Sequence, residues 1–346
     1  MATEEVIFLG AGASAADGAP IQNALFKDYF KSRAYNDETN TVLSTFFMDF
    51  FGIDTNDDLT GINFPTVEEV LGILELALNR NESFRKYPST PQAPKVQNTR
   101  ESVIILMARI LRDKLQAGRP IHDSLVSRLI HESRISKTAF VSLNYDILID
   151  NALSDVHDKF DLDYGIPFAN FSRKNDWHRP RPNRAVKLFK LHGSLNWLYC
   201  PTCISLMITP KDKSKVSQYA DTPIPCVSCQ TNMIPIIIPP TFFKVMSNFF
   251  LQQIWREAEN TLIAARRIIF CGYSFPDADV HIKYLLKRIE LNTGTCPDIY
   301  IFNSHHGKGD EVKEQEKQRY ERFFSDKTKI YYLDKSFEDF CNNGIP

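Results

Sequence analysis

The chain has 346 residues, 43% of them apolar, and its 41 lysines and arginines nearly balance its 42 aspartates and glutamates, for a formal net charge of −1. This is ordinary globular composition, long enough for one large domain with an insertion or for two domains, and it carries no global field that would draw a nucleic acid or an anionic membrane. No apolar run approaches the roughly 18 residues needed to cross a bilayer, and Glu4 and Glu5 precede the first apolar stretch where a secretory signal would be basic, so a cytoplasmic protein is expected, with no membrane and no direct nucleic-acid partner.

Val6-Ile7-Phe8-Leu9 runs straight into Gly10-Ala11-Gly12-Ala13-Ser14, with Gly18-Ala19-Pro20 close behind. Four apolar residues before a glycine turn read as a buried strand ending in a tight turn that opens a helix. Glycines at 10 and 12 let the backbone approach a pyrophosphate with no Cβ in the way. The spacing is not Gly-x-Gly-x-x-Gly, and no acidic residue ends an obvious second strand about 20 positions on, so a turn that serves packing alone is the competing reading.

Ile21 to Phe30 has helical spacing and is predicted as the helix whose N-terminus faces the ligand. Helical patterns follow over Val42–Phe51, Val67–Leu78 and Val103–Leu115, with a proline-bearing loop over Tyr87–Asn98. This predicts a helical insertion over 31–136 between two halves, 1–30 and 137–346, of an α/β domain. The insertion reads as a lid or, from its size and phenylalanine content, as an oligomer surface.

Thr138–Leu143 is a second buried strand, ending on Asn144-Tyr145-Asp146 before a helix over Ile147–Leu153. A third, Val186–Leu191, ends on His192-Gly193-Ser194. Between them, Arg173–Arg184 reads as an exposed, partly basic loop. Next come Cys200-x-x-Cys203 and, after 22 intervening residues, Cys226-x-x-Cys229. Two such knuckles present four thiolates that close a tetrahedron around Zn²⁺ and leave no position open for water, which predicts a structural zinc module over 198–232 and excludes metal catalysis there. A nucleic-acid-binding ribbon is the rival reading, but Lys211, Lys213 and Lys215 have only Tyr219 as an aromatic neighbour.

Ile234–Pro240 is predicted as a strand leaving that module, and Phe249–Ala265 as a helix. Arg267–Cys271 is a fourth buried strand, ending on Gly272-Tyr273-Ser274, with a helix over Asp279–Ile289 behind it. A fifth, Ile299–Phe302, ends on Asn303-Ser304, before a charged helix near Glu311–Arg322 and a last strand at Ile330–Leu333. The alternation predicts a doubly wound, Rossmann-like parallel sheet. Its strand ends gather small residues, hydroxyls, a carboxamide and an imidazole on one edge, a surface suited to a dinucleotide. For His192 the competing reading is a core histidine donating to a carbonyl.

The glycine turn, Asn144-Tyr-Asp146, Leu191-His-Gly-Ser194, the paired cysteines, Gly272-Tyr-Ser274 and Ile301-Phe-Asn303 occur in the order and spacing of the sirtuin fold, and the chain resembles the sirtuin-like proteins of bacterial anti-phage defence. The resemblance spans Val6 to Asn303. It implies NAD⁺ as substrate, with Asn144 placing the nicotinamide ribose and the attacking water, His192 as base on a ribose hydroxyl, and Asp146 closing the asparagine motif. Dinucleotide contacts are expected at Gly10, Ala11, Gly12, Ser14, Pro20, Ser142, Gly272, Ser274 and Asn303. Protein-deacylating sirtuins continue Gly-Ile-Pro-Asp-Phe-Arg after the glycine turn, whereas here Pro20 is followed by Ile21-Gln22-Asn23. With the large helical insertion, this favours NAD⁺ hydrolysis in defence, giving nicotinamide and ADP-ribose. The retained zinc knuckles keep an NAD-dependent deacylase or ADP-ribosyl transferase as an alternative, and a non-catalytic NAD or ADP-ribose sensor is a third. The resemblance also implies self-assembly and an activating partner, a HerA-like ATPase in preference to a short Argonaute.

Overall fold

A computed structural model describes residues 3–20, 24–115, 118–156, 159–170, 180–208, 224–237, 248–306 and 309–346. The segment 21–23, most of the basic stretch 173–184, and Lys211, Lys213, Lys215 and Tyr219 lie outside the described residues.

In chain order the strands are β1 (Glu5–Leu9), β2 (Ser89–Thr90), β3 (Ala93–Pro94), β4 (Thr138–Ser142), β5 (Asp161–Asp163), β6 (Ala169–Asn170), β7 (Ala185–Lys190), β8 (Gly193–Cys200), β9 (Ser205–Ile208), β10 (Ile234–Ile237), β11 (Arg267–Cys271), β12 (Asp298–Phe302) and β13 (Ile330–Leu333). The helices are α1 (Ala11–Ala16), α2 (Leu25–Ser32), α3 (Glu38–Phe51), α4 (Val67–Asn79), α5 (Lys95–Leu115), α6 (Ile121–His131), α7 (Leu148–Ser154), α8 (Phe249–Ala264), α9 (Val280–Thr293), α10 (Asp310–Phe323) and α11 (Phe337–Asn343). No helix among the described residues is long and apolar enough to cross a membrane.

Seven strands form one parallel sheet in the order β13-β12-β11-β1-β4-β7-β5. β1 and β4 are buried along their whole length, as expected of strands with short apolar runs (Val6–Leu9 and Ala139–Val141) covered on both faces. The chain leaves β1 toward β4 on one side and later returns to its other side as β11, which makes the β1–β11 boundary the topological switch point where open α/β sheets bind ligands. Register puts the strand ends level: Leu9 lies opposite both Ser142 and Cys271, Ser142 opposite Lys190, and Cys271 opposite Phe302.

A second core, distinct from that of the sheet, is built by α2–α5 and includes Phe26, Phe30, Phe46 and Phe47. The phenylalanine content of this segment is largely spent inside it, in contacts such as Phe26–Phe47 with ring centroids 4.7 Å apart. Helix α2 belongs to this core, whereas α6 packs into the sheet core through Ile121, Leu125, Val126 and Leu129. A four-stranded sheet, β10-β8-β9-β6, carries the cysteine knuckles. It begins where the third strand of the sequence reading ends: β7 stops at Lys190, and Gly193-Ser194 opens the antiparallel β8 against β10.

At the switch point two turns meet backbone to backbone. Gly12 N–H donates to Gly272 O at 2.9 Å, and Gly272 has φ +62°. A Cβ on Gly272 would fall 2.1 Å from Ala13 N, and one on Gly12 2.8 Å from Gly272 Cα. Both the left-handed conformation and the contact demand glycine. Gly272→Ala is therefore expected to lower the unfolding free energy by about 2 kcal/mol or more in denaturant titration. An unchanged midpoint would mean that the two turns do not touch.

Candidate functional site

The helix that leaves the glycine turn is α1, six residues long with Gly10 as its N-cap, and not the expected Ile21–Phe30, whose helical part is α2 in the second core. Eleven residues of alternating small and polar character after Leu9 gave no apolar stripe to reveal so short a helix. Its Ser14 side chain is buried and stands between the two motifs that flank it. Ser14 Oγ donates to Asp146 Oδ2 at 2.6 Å, and Asn144 Nδ2 donates to Ser14 Oγ at 2.7 Å and to Gly10 O at 2.8 Å.

These bonds fix the chemistry of each group. Gly10 O can only accept, so the nitrogen end of the Asn144 amide faces it; both N–H groups are then used and Oδ1 is the atom with which this side chain accepts from a ligand or water. Asp146 is doubly engaged, since its Oδ1 accepts from Leu148 N–H at 3.1 Å. Ser142, 2% exposed, accepts from Asn144 N–H at 3.2 Å, so its hydroxyl positions the asparagine from below.

Ala11, Ser14, Pro20, Asn144 and Asp146 line one cleft that is open to solvent. Its opposite wall comes from the second core: Leu25 of α2, Val67 and Glu68 of α4, and Met107 and Leu111 of α5. Leu143 and Tyr145 complete the floor. Burial pushes the Tyr145 hydroxyl well above its usual range, helped by the charge of Glu68, so it is a neutral donor.

His192 stands behind this floor rather than on it. It is 3% exposed, its ring lies 6.3 Å from that of Tyr145, and its Nδ1 faces Leu143 O at 3.2 Å. Because a carbonyl accepts only, Nδ1 carries the hydrogen and the lone pair of the neutral ring is on Nε2, the tautomer a base requires. Trp255 Nε1 donates to Leu191 O at 3.0 Å, and Leu195 N–H donates to Tyr145 O at 2.9 Å, so both chain segments around the imidazole are pinned.

Gly10 and Gly12 underlie the cleft at the contact with Gly272. Ser274 is exposed one strand further, where its carbonyl accepts from Arg319 Nε at 3.1 Å. Asn303 is 8% exposed, and its Nδ2 donates to Tyr273 O at 2.7 Å and to Glu316 Oε1 at 2.5 Å, so only its Oδ1 is left to take a hydrogen from a ribose or an adenine amine. The strand-end set is thus brought to one edge, but as a cleft group and a separate group along β11 and β12.

Local sequence did not disclose Glu68, which reaches the cleft from the helical segment, or the fully buried Lys190. Lys190 lies in an apolar strand pattern, yet its Nζ donates to Asp146 O and lies 3.2 Å from Asp150 Oδ2. Tyr164 Oη donates to the other oxygen of Asp150 at 2.6 Å, which completes a buried, paired scaffold beneath the Asn144–Asp146 loop.

The sulfur atoms of Cys200, Cys203, Cys226 and Cys229 all lie within 4.8 Å of one another, with Cys200–Cys229 at 3.5 Å and Cys203–Cys226 at 3.9 Å. Tetrahedral zinc with sulfur at about 2.3 Å needs sulfurs about 3.8 Å apart, so the four fit the ion. Hydrogen bonds to Thr231 pull Cys229 down to about 6, whereas its bond to Cys229 pushes Cys203 up to about 12. Packed thiols resist ionising together, a cost that a divalent cation offsets. Among the described residues the module's own core is Leu198, Cys200, Met207, Cys226 and Met233, with Ile224 and Cys229 against it.

The model of the SIR2-like domain matches residues 138–327. Among solved structures the chain is similar to Sir2Tm bound to a propionylated peptide, at 14% identity and a TM-score of 0.44, with 98% of this chain and 90% of that chain covered. It is similar also to a serine-to-alanine variant of a Sir2 homologue in complex with ADP-ribose, at 13% identity and a TM-score of 0.46, with 98% and 88% covered. No curated protein matches.

Metal analysis of the purified protein is expected to find one zinc per chain. Cys229→Ser is expected to lose it and to expose the β8–β9–β10 segment to protease, because a small loop-rich module draws much of its stability from the metal. A metal-free protein with the same melting temperature and protease resistance would refute the structural role.

Proposed function

The chain belongs to the family of SIR2-like domains, whose model covers residues 138–327 of its 346, and on that premise we propose that it is an NAD⁺ glycohydrolase, releasing nicotinamide and ADP-ribose. The observation that carries this reading is the Asn144–Ser14–Asp146 chain at the mouth of a cleft beside the glycine turn. The C1′–nitrogen bond breaks with its electron pair passing to the pyridinium nitrogen, so nicotinamide leaves neutral. Water adds to C1′, and its surplus proton passes to solvent. What the protein adds is position and charge for an oxocarbenium-like sugar. Asn144 Oδ1, held by two spent N–H groups, orients the water or a ribose hydroxyl, and His192, in its Nδ1–H tautomer, acts as base on the ribose through Nε2.

The helical wall opposite the glycine turn supports hydrolysis over transfer to a protein nucleophile, because Leu25, Val67, Met107 and Leu111 take up the side of the cleft away from the sheet. A second reading, binding without turnover, is favoured by one observation: His192 is buried behind Leu143 and Tyr145 and does not line the cleft. In the first reading the biological role is defence against phage by NAD⁺ depletion in the cytoplasm. An uncontrolled NAD⁺ hydrolase would empty its own cell, so we propose that activity is gated by self-assembly and by a partner, a HerA-like ATPase in preference to a short Argonaute. The arrangement proposed is a helical module over 31–136 inserted in a sirtuin-like domain that also carries the zinc module at 198–232.

Asn144→Ala and His192→Ala are each expected to cut nicotinamide release by about a hundredfold or more while the protein keeps the far-UV circular dichroism of the folded parent. Nicotinamide and ADP-ribose are to be followed for the purified chain alone and with the ATPase. If NAD⁺ binds but stays intact in every combination, the binding reading replaces the hydrolase.

A further inference from the structure

The loop that carries Asn144 is held from below through its carbonyls. Leu143 O faces His192 Nδ1 at 3.2 Å, Tyr145 O accepts from Leu195 N–H at 2.9 Å, and Asp146 O accepts from Lys190 Nζ. All three donors come from one short stretch, where β7 ends and β8 begins. Helix α7 offers Asp146 O nothing: its N-cap is Ile147, whose carbonyl accepts Asn151 N–H at 3.0 Å, so Asp146 O lies before the helical ladder. A buried carbonyl there needs a donor, and a neutral one would serve. Instead it has an ammonium. The Lys190 side chain is fully buried, and its charge is met at 3.2 Å by the equally buried Asp150, whose other oxygen accepts from Tyr164 Oη at 2.6 Å. Burying two charges costs desolvation that their attraction rarely exceeds, and apolar residues of the same size are often as stable or more so. Stability alone therefore does not account for the pair. Its place does, because Asp146 carries the carboxylate that takes the Ser14 hydroxyl at 2.6 Å, and Ser14 Oγ in turn takes the Asn144 amide at 2.7 Å.

We infer that Lys190, with Asp150 as its counter-ion, is a positioning residue for the Asn144–Asp146 loop, kept for the geometry of the site and not for stability. Its effect on turnover rests on the reading that Asn144 orients water or a ribose hydroxyl in NAD⁺ cleavage. Lys190 does not line the cleft and acts through a backbone carbonyl. A bond from an ammonium to a carbonyl is charge-assisted, and so stronger than one from a neutral donor. With it in place, the peptide that follows Asp146 has one orientation, and the carboxylate stays level with Ser14. Without it that peptide can turn, the carboxylate gives up the Ser14 hydroxyl and Leu148 N–H, and Asn144 loses the partner that aims its Oδ1. The loss falls on the reacting geometry, while the glycine turn that receives the dinucleotide is unaltered, so kcat changes and KM does not.

Two variants separate positioning from stability. Lys190→Met alone strands the Asp150 carboxylate and is expected to melt below the parent in either case. Lys190→Met with Asp150→Asn removes both charges, leaves an acceptor for Tyr164 and is expected to recover the melting temperature. For this double variant the expected result is a kcat for NAD⁺ lowered about tenfold or more, with KM changed less than about twofold. Hydrogen exchange over 144–148, which includes the N–H groups of Asn144 and Leu148, is expected to quicken about tenfold or more while the rest of the chain keeps its protection. Turnover and protection that return together with the melting temperature overturn the inference, as does a double variant that melts as low as Lys190→Met. Exchange needs no substrate: if the parent leaves NAD⁺ intact, the hydrolase reading fails, and the exchange over 144–148 decides by itself, faster exchange upholding Lys190 as the anchor of the loop and unchanged exchange overturning it.

Discussion

The backbone contact between the turns after β1 and β11 is the constraint on which the site depends. Gly12 donates to Gly272 across the switch point of the sheet, at a separation that admits no side chain on either. That contact fixes where α1 starts, and with it the height of Ser14 above the strand ends. Ser14 is then in reach of Asn144 and Asp146, from a strand that begins more than a hundred residues later. A site assembled across such a sequence separation needs its frame set by backbone, because long side chains would trade rotamer freedom for the same contacts.

Polar groups beneath the cleft serve that frame. The Ser142 hydroxyl holds Asn144 N–H, Lys190 holds the Asp146 carbonyl, and Asp150 with Tyr164 neutralises Lys190 where no water reaches it. Buried groups of this kind cost desolvation that only full pairing offsets, so the loop has one arrangement in which all are satisfied. The wall opposite is of another origin. It comes from a module with its own aromatic core, and it closes over the sheet edge with four apolar side chains and one carboxylate.

Much of this was legible in the sequence where the signal is local. Short apolar runs marked β1, β4 and β11 almost to the residue, and the Cys-x-x-Cys pairs announced the four-sulfur cluster. The residues ending each strand were legible too, since parallel register brings them to one edge. What was not legible depends on contacts between distant segments. Glu68 reads as one of two acids at a helix start until the fold turns α4 toward the cleft. Lys190 reads as a strand residue until Asp150 is seen beside it. His192 was placed at the right strand end, but whether its ring enters the cleft or lies behind Tyr145 is decided by the reversal of the chain into β8, which no periodicity encodes. The phenylalanines of α3 likewise looked outward in the sequence and turn inward in the fold.

A crystal structure of His192→Ala with NAD⁺ tests the central claim most directly, because it locates the dinucleotide without requiring turnover. The account predicts the nicotinamide ribose within hydrogen-bond distance of Asn144 Oδ1 and the pyrophosphate against Gly10–Gly12. A dinucleotide bound elsewhere, or one running with its adenosine end against Asn144, would contradict it.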